Sequence, residues 1–429
     1  MRDAPYHEIR GNVSERSAHV EAIAHLHQGL ELLKTVPETA ERTQREVDIL
    51  LALGAVLIAT KGYGAPEVGE TYTYARQLCQ HLEDPQRLFH VLRGLCNYYR
   101  VRAEYQTAHA LGEQLLPLAQ QIQDSAMLVA AHRAVGTTLF WMGAVASAQT
   151  HFARGIALYD AQQHRISAAL YGEDSGLVCH INAAWALWYL GYPDQGRARS
   201  HEALRLAQQS AHPFSLTYVL GYTAQFHQYR REARFTQEHA EAAIRLATDQ
   251  GFPQFKAIGT LHRGWALVHQ GQVRDGVKQL TQGLSAFRAA GAEIARPYYL
   301  ALLAEAQGIT GKPQAGLAGL TEALTLVDTT GERWYESEIY RLKGELLLQQ
   351  SSDNQAEAEA CFHKALVITR NQQAKSFELR TATSLARLWQ QQRKRQEAHD
   401  LLAPVYAWFT EGFDTADLQE AKALLEALG

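Results

Sequence analysis

Three arginines and an asparagine are the residues of this chain whose types and spacing best suit binding chemistry. Arg93, Asn97 and Arg100 fall at helical spacing, so one helix face carries all three. Arg133, Thr137 and Phe140 repeat that spacing 40 residues later. A guanidinium is a planar fork that matches a carboxylate, so such a face suits an acidic partner. Trp185 and Trp188, which follow in the series, supply large, rigid contact area. Gln225, Trp265 and Glu305 continue it. Two plainer readings stay open. A tryptophan at helical spacing also fits a core between packed elements, and arginines also fit solvated or paired positions.

Catalytic patterns are weak by comparison. GITGKP (308–313) approaches a phosphate loop but lacks the GxxxxGK[ST] spacing, and Pro313 follows Lys312. No GxSxG, HExxH or strand-linked GxGxxG occurs. His25 and His27 are two residues apart and point to different faces of a helix. No catalytic residue, cofactor site or metal site is expected, and the chain reads as a non-enzyme.

Composition bounds the function classes. Lys plus Arg is 41 and Asp plus Glu is 45, for a formal charge of -4, which argues against a nucleic-acid or anionic-membrane binder. There is no run of about 18 apolar residues and no apolar signal region near Met1, so neither membrane span nor signal peptide is expected. The four cysteines are far apart, which points to a reducing cytoplasm rather than a disulfide framework.

The elements that carry these residues repeat. Val68, Ala108, Ala148, Gly196, Thr236, Gly276, Gly316, Ala358 and Ala398 form a ladder with steps of 40, 40, 48, 40, 40, 40, 42 and 40. A companion position seven residues on runs from Ala75 to Val405 and is also mostly small. A third runs through Cys96, Gly136, Ala184, Ala224, Gly264, Ala304, Gly344 and Ala386. Seven residues are about two helical turns, so the small residues share a face and admit a second helix closely. Pro85, Pro213 and Pro253 each open a repeat, while Gly143, Gly191, Gly271 and Gly311 close first helices. No sustained period-2 alternation appears. The fold class is all-α: a solenoid of antiparallel helix pairs with a 40-residue period.

The pattern resembles a tetratricopeptide (TPR) array, with Gly264-Trp265 and Ala358…Phe362 echoing that family's small and aromatic positions, although the period is 40 rather than 34. The resemblance implies that first helices line a concave face. Arg93, Asn97, Arg100, Arg133, Thr137, Phe140, Trp185, Trp188, Gln225, Trp265 and Glu305 would then face a groove. Arg93 with Asn97 resembles half of the carboxylate clamp of chaperone-binding TPR domains; Thr137 stands where another Asn is wanted, and no clear Lys completes it. Surface arginines of such a stripe are expected to contribute little to folding.

One domain, 1–429, is expected: an unpaired first helix at 15–35, nine helix-pair repeats over 39–413 and a capping helix at 414–429. Helix 16–35 has no partner ahead of it, so the array begins in mid-repeat, and its apolar set is expected to support self-association. The 48-residue step inserts eight residues between Tyr159 and Leu177. This insertion reads either as a plain loop or as a loop folding into the groove, with His164, Arg165, Tyr171 and Asp174 available for contacts.

Residues 58–79, 331–348, 356–368 and 409–428 (IATKGYGAPEVGETYTYARQLC, GERWYESEIYRLKGELLL, AEAEACFHKALVI and FTEGFDTADLQEAKALLEAL) resemble the C-terminal repeats of bacterial multidomain signalling proteins. Those proteins join a class III nucleotidyl cyclase, a kinase or a regulator to an AAA/STAND-type ATPase. The resemblance implies a protein- or peptide-binding scaffold or sensor module, with an ATPase or cyclase partner encoded in cis or by a neighbouring gene. Cyclase and ATPase motifs are absent from this sequence, so neither activity carries over. A small-molecule-sensing repeat domain of a transcriptional activator is the alternative.

Overall fold

Helices of this length, with small residues at a fixed phase, gain stability by packing in pairs rather than alone. The computed structural model describes the backbone of residues 4–162 and 173–429, with side chains from His19 onward in those ranges. Twenty α-helices and no strand occur among the described residues. They are α1 (Ala4–Leu33), α2 (Ala40–Lys61), α3 (Pro66–Cys79), α4 (Pro85–Val101), α5 (Tyr105–Ile122), α6 (Ser125–Trp141) and α7 (Val145–Leu158). Then follow α8 (Ser175–Tyr189), α9 (Pro193–Ser210), α10 (Pro213–Tyr229), α11 (Ala233–Gln250), α12 (Pro253–His269), α13 (Val273–Ala289) and α14 (Arg296–Ile309). The last are α15 (Pro313–Thr330), α16 (Glu336–Gln350), α17 (Gln355–Asn371), α18 (Lys375–Gln391), α19 (Arg395–Ala407) and α20 (Ala416–Leu428).

The small-residue ladder is the seam of the pairs. All nine ladder positions, from Val68 to Ala398, are buried on the second helix of a pair. The seam is tight enough that the Cys96 thiol on α4 donates to the Ala108 carbonyl of α5 at 3.2 Å. A Cβ added at Gly264 would lie 2.9 Å from the Gly276 carbonyl, which is why no larger residue fits there. Prolines open α3, α4, α9, α10, α12 and α15, where the missing N–H would have had no helical partner. Asp84, Asp124 and Asp174 cap α4, α6 and α8 through backbone N–H groups of the first turn.

The pairs wind into two courses that stack on one another. The Tyr63 N–H donates to the Gln254 side chain 191 residues away, and the Ser376 hydroxyl donates to the Trp188 carbonyl 188 residues away. Val101 O accepts the N–H groups of Glu293 and Ile294, and Trp141 O accepts that of Arg333. Backbone meets backbone at Gly64, where a Cβ would sit 2.2 Å from the Gly291 carbonyl. Along the axis an aromatic core joins the courses: Trp334 packs on Phe140, Trp141, Tyr229 and Tyr298 at 5.2–5.8 Å between ring centroids.

The first helix departs from the sequence-based expectation. It starts at Ala4 rather than near residue 15, and it packs against both α2 and α11, so it spans the two courses. Ile23, Leu26 and Leu30 lie against the core, while Val20 is 67% exposed.

Candidate functional site

The inner face of the first course carries the predicted arginines, and they are buried. Arg93 on α4 and Arg133 on α6 retain 2% and 0% exposure, and Arg100 retains 5%. This corrects the expectation of a solvated stripe that contributes little to folding. Arg93 and Arg133 are held by Glu173, which is itself fully buried just ahead of α8. Arg93 Nη2 donates to Glu173 Oε1 at 2.8 Å, Arg133 pairs with the same oxygen at 2.6 Å, and the Tyr63 hydroxyl donates to Oε2. Burial alone would raise the Glu173 carboxyl, but the charges of Arg133 and Arg93 hold it below the usual carboxylate range. Burial, followed by the Glu173 charge, pushes the Tyr63 hydroxyl well up, so it stays a donor.

Asn97 organises the rest. Its Oδ1 accepts from Arg133 Nη1 and, at 3.3 Å, from Arg100 Nη2. Thr137 donates to the Arg133 carbonyl and accepts the Asn182 amide at 3.1 Å.

The aromatic members of the series are core. Phe140, Trp185 and Trp188 are 1–2% exposed and belong to the axial cluster, because the second course covers the face that a single course would leave open. Gln225 is fully buried and donates to the Tyr229 hydroxyl. Of the insertion residues, His164, Arg165 and Tyr171 lie outside the described residues. Asp174 does not reach the arginines. It caps α8 through Gly176 N and Leu177 N and accepts the Tyr159 hydroxyl at 2.7 Å. Glu173, one residue earlier and one methylene longer, makes the contact instead.

The second course has a charged recess of about 160 Å³, lined by Trp265, Glu305, Glu338, Arg341, Arg380 and Asp417 among others. Arg341 is bonded twice by Glu338, at 2.7 and 2.8 Å, and once by Glu345 at 2.5 Å. Arg380 bonds Asp417 at 2.9 Å and lies over the Trp188 ring at 5.0 Å. Trp265 Nε1 donates to Glu305 at 3.0 Å. Burial would raise Glu305, but His269, Arg341 and Trp265 bring it down to about 2. Sequence reasoning missed this recess apart from Trp265 and Glu305. The available signal was phase: Arg341 precedes the small residue Gly344 as Arg93 precedes Cys96 and Arg133 precedes Gly136.

Among the described residues no cluster of His, Cys, Asp or Glu is placed to hold a metal ion, and no helix is long and apolar enough to cross a membrane.

Fold and seam together define a TPR-like helical repeat protein. The chain is similar to a solved Rap protein in complex with Competence and Sporulation Factor, with a TM-score of 0.63, 9% identity, and coverage of 86% of this chain and 98% of that one. It is also similar to a chain of the APC/C hetero-tetramer Cut9-Hcn1, with a TM-score of 0.51, 12% identity, and coverage of 91% and 67%. Likeness at such identity concerns the fold. No protein-family model matches. An uncharacterized protein of Rhizobium meliloti (strain 1021) is 22% identical over 378 residues, which is 87% of this chain; the chain spans 36% of that relative's length.

Proposed function

We propose that this chain is a non-catalytic scaffold or sensor module that binds a protein or peptide segment through its inner face, recognising an acidic group at the Arg93–Asn97–Arg100–Arg133 cluster. The observation that carries the reading is Glu173. An acidic side chain from outside the repeat helices is held there by two guanidiniums and a tyrosine hydroxyl. The Rap protein solved with Competence and Sporulation Factor bound lends the reading support at the level of fold. As the sequence resemblance implies, the array would work beside an ATPase or cyclase of a bacterial signalling system, in cis or from a neighbouring gene. The exposed flank of α1, including Val20 and Leu32, is offered as a self-association surface.

The test is a calorimetric titration of the full chain with an acidic peptide bearing one apolar anchor, against the same peptide with lysine for glutamate. Binding of the acidic peptide alone is expected, weakening as salt rises. Equal binding of both, or of neither, sinks the reading.

A further inference from the structure

The two courses also meet at a recess of about 810 Å³ that shares no described residue with the arginine cluster or with the second-course recess. The first course supplies Lys61 at the end of α2, Glu67 on α3 and Arg102 just past α4. The second supplies Lys256 on α12 and Arg288 on α13. Lys61 is paired with Glu67 at 2.5 Å, and Arg102 Nη1 reaches the neutral carbonyl of Gly291 at 3.5 Å. Among the described residues Arg102, Lys256 and Arg288 form no ion pair with a carboxylate. Four cations against one carboxylate leave a surplus of three positive charges on the described lining, and cations of one course face cations of the other. An anion seated between them turns that repulsion into attraction. The floor is apolar and lacks bulk, with Ala65, Pro66, Pro253, Ala257, Gly283 and Ala286, while Thr260 and Gln282 add a hydroxyl and an amide. Concave, mostly apolar space of this size between packed units is where small ligands seat.

We infer that this recess is a binding site for a nucleoside di- or triphosphate, with its phosphates held by Arg102, Lys256 and Arg288 and its base laid on the alanine and proline floor. A nucleoside diphosphate carries about three negative charges at neutral pH in one compact group, which matches the surplus. A peptide spreads its carboxylates at one per residue and cannot concentrate them in this way. Guanidiniums take phosphate oxygens in pairs, and a lysine adds a point charge. Small side chains leave room for the flat face of a ring, and Thr260 and Gln282 are partners for its polar edge or for the sugar. Because the cations come from both courses, the ligand clamps one course to the other. The site is separate from the inner face and stands independently of the scaffold reading.

The experiment titrates the full chain with ADP and with pyrophosphate by calorimetry, without added divalent metal, and follows thermal unfolding with and without ADP. ADP is expected to bind, to bind less tightly as salt rises, and to raise the melting temperature. Pyrophosphate, which lacks the base, is expected to bind about tenfold more weakly. Lys256→Gln/Arg288→Gln is expected to weaken ADP binding by about tenfold or more. Its melting temperature without ligand should stay that of wild type, because both side chains are exposed. Ala286→Glu, at an exposed position of α13, sets a carboxylate among the cations and is expected to abolish ADP binding. Failure of wild type to bind ADP, ADP binding unchanged in both variants, or equal affinity for pyrophosphate and ADP overturns the inference. Loss of ADP binding in the variants, with no binding of the acidic peptide by wild type, leaves this site standing and sinks the scaffold reading.

Discussion

Arg133 and Arg341 occupy the same place in their repeats, three residues before a small residue on the inner helix, yet their surroundings differ. Arg341 finds its counter-charges on its own helix: Glu338 one turn before it and Glu345 one turn after. Arg133 has none on α6 and shares Glu173 with Arg93. The recess around Arg341 is close to neutral, with four arginines facing five carboxylates. Among the described residues, the cluster around Arg133 sets three arginines against the single carboxylate of Glu173. A repeat phase therefore sets where a charge points, whereas neighbours on other elements decide whether that charge is spoken for.

The comparison is broken most sharply at Glu173. Glu173→Ala leaves three buried guanidiniums with no described carboxylate and is expected to destabilise the fold by about 3–5 kcal/mol, the usual result of orphaning a buried charge. Urea unfolding of the two proteins gives the number. A loss near that of an exposed pair would mean that the arginines do not depend on Glu173.

A second buried glutamate sharpens the contrast through the opposite response to pH. Glu332 accepts from the Tyr105 hydroxyl at 2.5 Å, Trp334 Nε1 at 3.1 Å and Ala295 N at 3.0 Å, so it ties the two courses together, and among the described residues no guanidinium is bonded to it. Burial pushes its carboxyl up to about 7 against those hydrogen bonds, from an ordinary value of 4.5. A carboxyl raised in the folded state binds its proton more tightly there than in the unfolded chain. Its contribution is thus fully present below about pH 4.5 and is lost as pH rises through about 7. Glu173 is lowered, so its contribution is present above the ordinary value and is lost as pH falls. Each tenfold difference in proton affinity between folded and unfolded chain is worth about 1.4 kcal/mol. Glu332→Gln should therefore remove a stability loss of about 3 kcal/mol between about pH 5 and 8. Parallel unfolding curves for Glu332→Gln and wild type across that range would show that Glu332 does not titrate there.

What was legible in the sequence divides along the same line. The ladder could be read because a helix seam needs a small residue at each repeat, and that need is local. Asp174 reads in the sequence as an insertion-loop contact for the groove; it caps α8 instead, and Glu173 beside it makes the contact with the arginines. The covering of Phe140, Trp185 and Trp188 could not be read. It depends on a small rotation per repeat that accumulates until residues such as Trp188 and Ser376 meet, and no short window of sequence carries that angle. The pairing of Arg380 with Asp417 was hidden for the same reason, since α20 must fold back onto α18 before the two can meet.

The smallest expected effect comes from the rim of the second-course recess. Arg387 pairs with Glu420 at 3.0 Å, with side chains 47% and 35% exposed, and Glu420 is also held by Arg231 at 2.8 Å. Water solvates each group when its partner is gone, so Arg387→Ala is expected to cost less than about 1 kcal/mol. Salt should shrink that cost further, because exposed charges are screened. The loss in Glu173→Ala should hold nearly constant from low to high salt, because screening reaches buried charges poorly. Measuring both variants by urea unfolding at two ionic strengths therefore tests the distinction itself. A large, salt-independent loss in Arg387→Ala would show that the recess is sealed as tightly as the arginine cluster, and that its charges are matched by burial rather than by water.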